Sequence, residues 1–425
     1  MIKKYLLIIL LLCLITVTPG CWDQTEIEFL ALVRVIAIDY LPGRRAPYLV
    51  TVAIAQPIDA GGGESGGGQP QTLLFSGVGA TLDLAFDHLS YNLSRRLFLS
   101  HAETVIIGKD LAEYGLHHTL DFIIRHNQIR LNSFLLQATG MAHEVLTVPE
   151  RLSSGIADEI LGLIEEAEEK TETVTQVAYK FLQQLVTPGQ DPYTAIVMVG
   201  PPLEMTIPEL QDKEGAEESG EGGSSDAGGG GSEASGSAGT RREEEVLTLA
   251  GLGAFRSSKL AGKLDHTETR GLLWFLGKAD RAIVAVPDPY NPGESVNFLT
   301  DRVDTSIIPV VSNGEVSFRV EVKEEGDIRS LTGTLDLSPP ETIKKLNSAK
   351  AAVIKEEMEK SLRKMQEMQT DLVGFGAILY RKHPKTFEQL QDRWREVFSN
   401  LKVEITVKST IRRTGHQRRP FHPAR

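Results

Sequence analysis

The chain has 425 residues, a formal net charge of −12, 41% hydrophobic and 24% charged residues. That length holds about two to four domains, each with room for a core, and the acidic balance argues against a nucleic-acid partner, because phosphate binding needs a basic surface. Its two cysteines are Cys13 and Cys21, so a chain cut before Cys21 has no pair for an internal disulfide and no cysteine-type zinc site.

Lys3 and Lys4 precede an apolar run, Tyr5 to Val17, of about thirteen residues. This is the length of a signal-peptide core and short for a membrane span. Gly20 directly before Cys21 resembles the lipobox of bacterial lipoproteins, with Thr18 and Pro19 departing from the usual residues there. The resemblance implies cleavage between Gly20 and Cys21 and a diacylglycerol on the Cys21 thiol, with a further N-acyl chain possible there; no other cofactor is expected. Two or more acyl chains anchor stably, since each buried CH₂ contributes roughly 0.8 kcal/mol. Residues 1–20 are thus expected to leave as a signal peptide. Trp22, beside the anchor, suits the headgroup region.

Strands are expected over Phe29 to Tyr40, Tyr48 to Ala55 and Thr72 to Val78, with a glycine-rich loop over Gly61 to Gly68. Leu82, Ala85, Leu89 and Leu93 have helical spacing; Ala102 to Gly108 and Leu131 to Ala138 read as strands, and Ser153 to Leu185 as one helix with an acidic face. From about Gln211 to Glu245, Gly, Ser, Ala and Glu displace large apolar residues, a composition that buries too little surface to order itself. Residues 21–205 are therefore expected to form an N-terminal α+β region, with two subdomains, 206–245 a disordered linker, and 246–415 a C-terminal α+β domain.

In that second half, Asp265 and Glu268 form a capping box opening a helix that Gly277 closes. Asn313-Gly314 predicts a type I′ hairpin whose second arm turns Val316, Phe318, Val320 and Val322 to one face. A long helix is expected after Pro340, a second from Pro384 to Phe398, and a last strand through Val403, Ile405 and Val407. The fold class expected is α+β, multi-domain, with mixed or antiparallel sheets and helices packed on one face.

No catalytic constellation stands out. His117, His118 and His126 lack metal-motif spacing, so no metal is expected and they read as helix residues. Asp83 and Asp87 read as a solvated face, Gly77-x-Gly79 and Gly251-x-Gly253 as relief of strand crowding, and Trp274 and Trp394 as core aromatics. Arg381, Lys382 and His383, ahead of Pro384, are either the start of a helix or a charged docking corner for a partner. Residues 416–425 form a basic tail; with Arg412 and Arg413, its Arg418, Arg419 and Arg425 form either an approach to anionic lipid or a solvated overhang.

Several segments in order resemble the Ger(x)C family of spore germination lipoproteins. They are Cys21-Trp22-Asp23 with Glu26-Ile27, Asp39 with Ala37 in place of the family's glycine, Ser94 to Leu116, Leu120 to Arg130, Leu260 to Lys278, Gly374 to Trp394 and Ile411 to Gly415. The resemblance implies three α+β domains and a non-enzymatic role: the C subunit of a nutrient-germinant receptor. It implies partnership with integral-membrane A and B subunits on the outer face of the spore inner membrane. A solute-binding lipoprotein would need two lobes around a cleft, and an envelope hydrolase a nucleophile with its base.

Overall fold

The computed structural model describes residues 4–5, 26–55, 72–151, 153, 155–201, 245–312 and 314–415. Gly20, Cys21, Trp22, the loop at 61–68, nearly all of 206–245, Asn313 and the 416–425 tail lie outside these residues.

Strand β1 (Leu30–Tyr40) is β-branched and apolar on both sides, as befits a strand covered on both faces. It pairs antiparallel with β2 (Tyr48–Ala55), which pairs antiparallel with β3 (Thr72–Gly79). Helix α1 (Leu82–Ser90) is capped by the Thr81 hydroxyl, which accepts the Leu84 N–H. It lies so close to β3 that a Cβ on Gly77 would stand 2.2 Å from the Ala85 carbonyl oxygen. The Gly-x-Gly pair therefore admits a helix.

The chain then returns to the other side of β1. Strand β4 (Arg96–Phe98) runs parallel to the start of β1 and β5 (Thr104–Ile107) parallel to its end. Helices α2 (Lys109–Tyr114) and α3 (His117–Arg125) lead to β6 (Phe134–Ala138), and α4 (Ala142–Val145) follows. The single helix expected over Ser153 to Leu185 is instead α5 (Ile156–Glu169), a turn, β7 (Gln176–Val177) and α6 (Ala178–Val186). The break falls on Thr-Glu-Thr-Val-Thr, 171–175, poor helix formers whose hydroxyls find other partners. Thr173 donates to the Gly251 carbonyl at 3.0 Å, and Thr171 has a left-handed φ of 59°.

Strand β8 (Tyr193–Gly200) pairs antiparallel with β9 (Val246–Arg256), and β9 with β10 (Lys259–Leu264). The sheet order is β10-β9-β8-β6-β5-β1-β2-β3. Residues 246–264, expected to open the C-terminal domain, thus belong to the first sheet, with Val246 directly opposite Gly200. The composition shift at 206–245 thus falls, in the sequence, between two strands that pair with each other.

The expected capping box is present: Asp265 accepts the Glu268 N–H at 2.7 Å and Glu268 accepts that of Asp265 at 2.9 Å. It opens α7 (His266–Leu276), and Gly277, at φ 63°, closes it. Strands β11 (Ile283–Pro287), β12 (Ser295–Ser312) and β13 (Glu315–Leu331) form a meander. Ser312 pairs with Glu315, and Gly314 has a left-handed φ of +80°; the turn type expected for Asn313-Gly314 rests also on Asn313, outside the described residues. Helix α8 (Pro340–Glu367) lays Leu346, Ile354, Met358, Leu362 and Met365 on the inner face of this sheet.

The helix expected from Pro384 to Phe398 is divided. Helix α9 (Phe375–Lys382) is followed by α10 (Pro384–Leu390), a 3-10 turn at Gln391–Arg393, and α11 (Trp394–Ser399). Strand β14 (Lys402–Arg413) then joins β13 in parallel, so helices α8 to α11 are the crossover that a parallel pair needs. One hydrophobic core runs from the first sheet through Trp274 and Phe275 of α7 into the second sheet; another covers the opposite face of the first.

Candidate functional site

The corner bearing Arg381, Lys382 and His383 is built around one carboxylate. Asp371 is 1% exposed and accepts the N–H groups of Gly374 (2.8 Å), Phe375 (2.9 Å) and Gly376 (2.8 Å), and Nε1–H of Trp394 (3.1 Å). Burial pushes its carboxyl up, to about 7, while these four donors pull the other way. Gly374, at φ +82°, lets the chain wrap the carboxylate before α9 begins. The turn is also tied to the first unit. Ala377 donates to the Gly189 carbonyl at 3.1 Å, and Asp191 Oδ2 accepts the Asp371 N–H at 3.1 Å. A Cβ on Gly376 would lie 2.6 Å from the Gly189 Cα, so the two backbones touch.

Helix α9 ends at His383, whose carbonyl accepts the N–H groups of Thr386 and Phe387, both at 3.1 Å. Pro384 takes the first position of α10, where its missing N–H leaves nothing unpaired. Below the corner, Phe387 stacks obliquely on Tyr380 and Trp394. Above it, Arg381, Lys382, His383 and Lys385 are exposed, and none has a hydrogen bond or ion pair to another described side chain. The bend therefore presents three cations and an imidazole to solvent.

The other residues weighed from the sequence fall as follows. Trp274 is fully buried and donates to Glu357; Trp394 is buried against Asp371, so both are core aromatics. His117 and His118 lie exposed on the first turn of α3, while His126, just past its end, packs on Phe86 and Phe122, where burial pulls its imidazole down. Among the described residues no group of three His, Cys, Asp or Glu side chains is placed to hold a metal ion. Among them, too, no helix is long and apolar enough to cross a membrane. Arg412 pairs with Asp301 and Glu325 across the second sheet, and so belongs to the fold.

Sequence reasoning missed two organising carboxylates, Asp371 and Asp191, which build the corner. Asp39, singled out from the sequence only as a motif match, is 2% exposed and accepts the N–H groups of Ala142 (2.7 Å) and His143 (2.9 Å). Burial raises its carboxyl against those bonds. The signal for Asp371 was present: an Asp three residues before Gly-Phe-Gly is placed to receive a run of amides.

Two family descriptions match the chain: "Spore germination protein N-terminal domain" over residues 23–199, and "Spore germination B3/ GerAC like, C-terminal" over residues 250–415. Spore germination protein KC of Bacillus subtilis (strain 168) is 25% identical, over 99% of this chain and 98% of its own length. Spore germination protein B3 of the same organism is 22% identical over 92% and 93%. The crystal structure of the GerBC protein superposes with a TM-score of 0.51 at 18% identity, covering 88% of this chain and 96% of that one, a likeness of fold.

Proposed function

The chain belongs to the B3/GerAC-like family of spore germination proteins, matched in both its N- and C-terminal domains, and from that premise we propose that it is the lipid-anchored, non-catalytic C subunit of a nutrient-germinant receptor. It works by contact with two integral-membrane subunits, A and B, on the outer face of the spore inner membrane. The observation that carries this reading is the match of both domains, in order, across the full length of its relatives. The lipobox-like Gly20-Cys21 adds the anchor, and the exposed bend at Arg381, Lys382 and His383 adds a surface for partner contact.

The short distance in sequence from Cys21 to the first strand supports a membrane-proximal placement of that strand's amino end. Four residues lie between Cys21 and Glu26, a span of at most about 18 Å over five Cα steps. Ile27 and Phe29 are exposed there, and Arg95 and Arg96 are exposed where the chain comes to pair with Leu30. Apolar side chains flanked by arginines suit an anionic bilayer surface.

The test is made in spores. Charge reversal at the corner, Arg381→Glu with Lys382→Glu, is expected to leave the protein folded and at normal level, since exposed substitutions usually cost within about 0.5 kcal/mol. Nutrient-triggered germination is expected to fail, while a stimulus that bypasses the receptor still works. Normal nutrient germination of that variant would exclude the corner as the contact; hydrolysis of an envelope substrate by the purified protein would exclude the non-catalytic reading.

A further inference from the structure

The first sheet has a topological switch at β1. Strands β2 and β3 lie on one side of it and β5, β6 and β8 on the other, with β1, β5, β6 and β8 parallel. In open sheets of this kind ligands bind beyond the carboxyl ends of the strands, where the order turns. Here that place holds a cleft of about 500 Å³, within the size range of small-molecule sites.

Its wall is aromatic. Tyr40, the last residue of β1, stacks on Tyr114 with ring centroids 4.1 Å apart and meets Tyr48 edge-on at 5.7 Å. The lining also holds the exposed Asp83, which has no hydrogen bond or ion pair to another described residue and whose charge acts on the His126 ring. The second carboxylate, Asp121, is neutralised by Arg125, whose Nε–H reaches both its oxygens at 2.9 Å. His126, also in the wall, keeps its Nδ1 buried without a partner. Against the guanidinium of Arg125, the two carboxylates leave one negative charge in excess, and it sits on Asp83. Tyrosine faces are themselves electronegative and attract cations.

We propose that this cleft binds a small organic ammonium ion, its charge on Asp83 and its apolar body against the tyrosine wall. The cleft lies at the opposite end of the 11-residue β1 from Leu30. Its lining does not depend on the receptor assignment.

Calorimetric titration of the purified full-length chain in detergent tests this with three probes: phenethylammonium, the neutral 2-phenylethanol, and zwitterionic phenylalanine. Phenethylammonium is expected to saturate one site at about 1 mM or below, with the alcohol at least about tenfold weaker, or ~1.4 kcal/mol. Asp83→Asn is expected to erase that difference, and Tyr114→Ala, an exposed position, to weaken binding while the circular dichroism spectrum stays unchanged. No saturation by phenethylammonium, equal affinity for the alcohol, or an unaltered Asp83→Asn variant would each overturn the proposal. Tighter binding of phenylalanine that Arg125→Gln abolishes would also overturn it, since Arg125 would then be the recognising charge. These readouts are separate from germination, so their failure leaves the receptor reading standing.

Discussion

Single residues in this molecule carry charge where water does not reach. Lys350 of α8 and Glu324 of β13 have fully buried side chains, with Nζ 2.6 Å from Oε1; Ser409 donates to the other oxygen at 2.6 Å. Lys350 also lies over the Phe298 ring. Removing one partner strands the other, so Lys350→Met is expected to destabilise by about 3–5 kcal/mol in urea unfolding. Adding Glu324→Leu is expected to recover most of that loss. Asp371 carries a pH dependence. Its folded carboxyl sits near 7, above its ordinary value of 3.8, so the folded state holds a proton that the unfolded state has released. Its stabilisation is therefore complete below about 3.8 and is lost as pH rises through 7, with a slope of at most about 1.4 kcal/mol per unit. Melting curves between pH 4 and 8 are expected to show this fall, and Asp371→Asn to flatten it. Glu324 was legible in principle: it continues the alternation of Val316 to Val322. Its partner Lys350 was not, because only the register of α8 against the sheet places an amine there.

Among the elements, those set by local chemistry were legible and those set by contact were not. The capping box at Asp265 and the turn at Gly314 need only neighbouring residues to form, and both are present. Asp265→Ala is expected to cost about 1 kcal/mol through loss of the cap, read as a lowered melting temperature. The break in the helix at 171–175 is fixed by partners far along the chain, the Gly251 carbonyl among them, and apolar spacing carried no sign of it. The 206–245 segment connects Gly200 to Val246, which face each other in one ladder. Closure entropy changes by only about 0.6 kcal/mol per doubling of loop length. Replacing the segment with about six Gly-Ser residues is therefore expected to raise stability by no more than about 2 kcal/mol. A loss of several degrees in melting temperature would mean that the segment packs.

At the scale of the whole molecule, the two sheets are joined by backbone contact at Gly189 and Gly376 and by Asp191, which reaches Asp371, Ser257 and Arg395. The bend with Arg381 to His383 is thereby fixed relative to β1, whose amino end adjoins the proposed anchor. Cys21→Ala is expected to move the protein from the membrane to the soluble fraction, checked by fractionation with mass spectrometry of the mature N-terminus. An unmodified Cys21 in the membrane-bound protein would exclude lipidation as the means of attachment. With the anchor intact, Phe29→Ser with Arg95→Gln is expected to leave membrane attachment unchanged, because the acyl chains dominate the binding energy.

The sequence by itself determined the strands, the caps, the hairpin, the α+β class and the family, because alternation, capping pairs and ordered motifs are properties of nearby residues. Only the tertiary structure decided that 246–264 completes the first sheet, that Asp371 and Asp191 weld the units, and that three tyrosines and Asp83 meet at one cleft. Each of those depends on residues tens to hundreds of positions apart. Their approach is set by the packing of shared cores and by buried polar groups finding partners, neither of which leaves a local period in the chain.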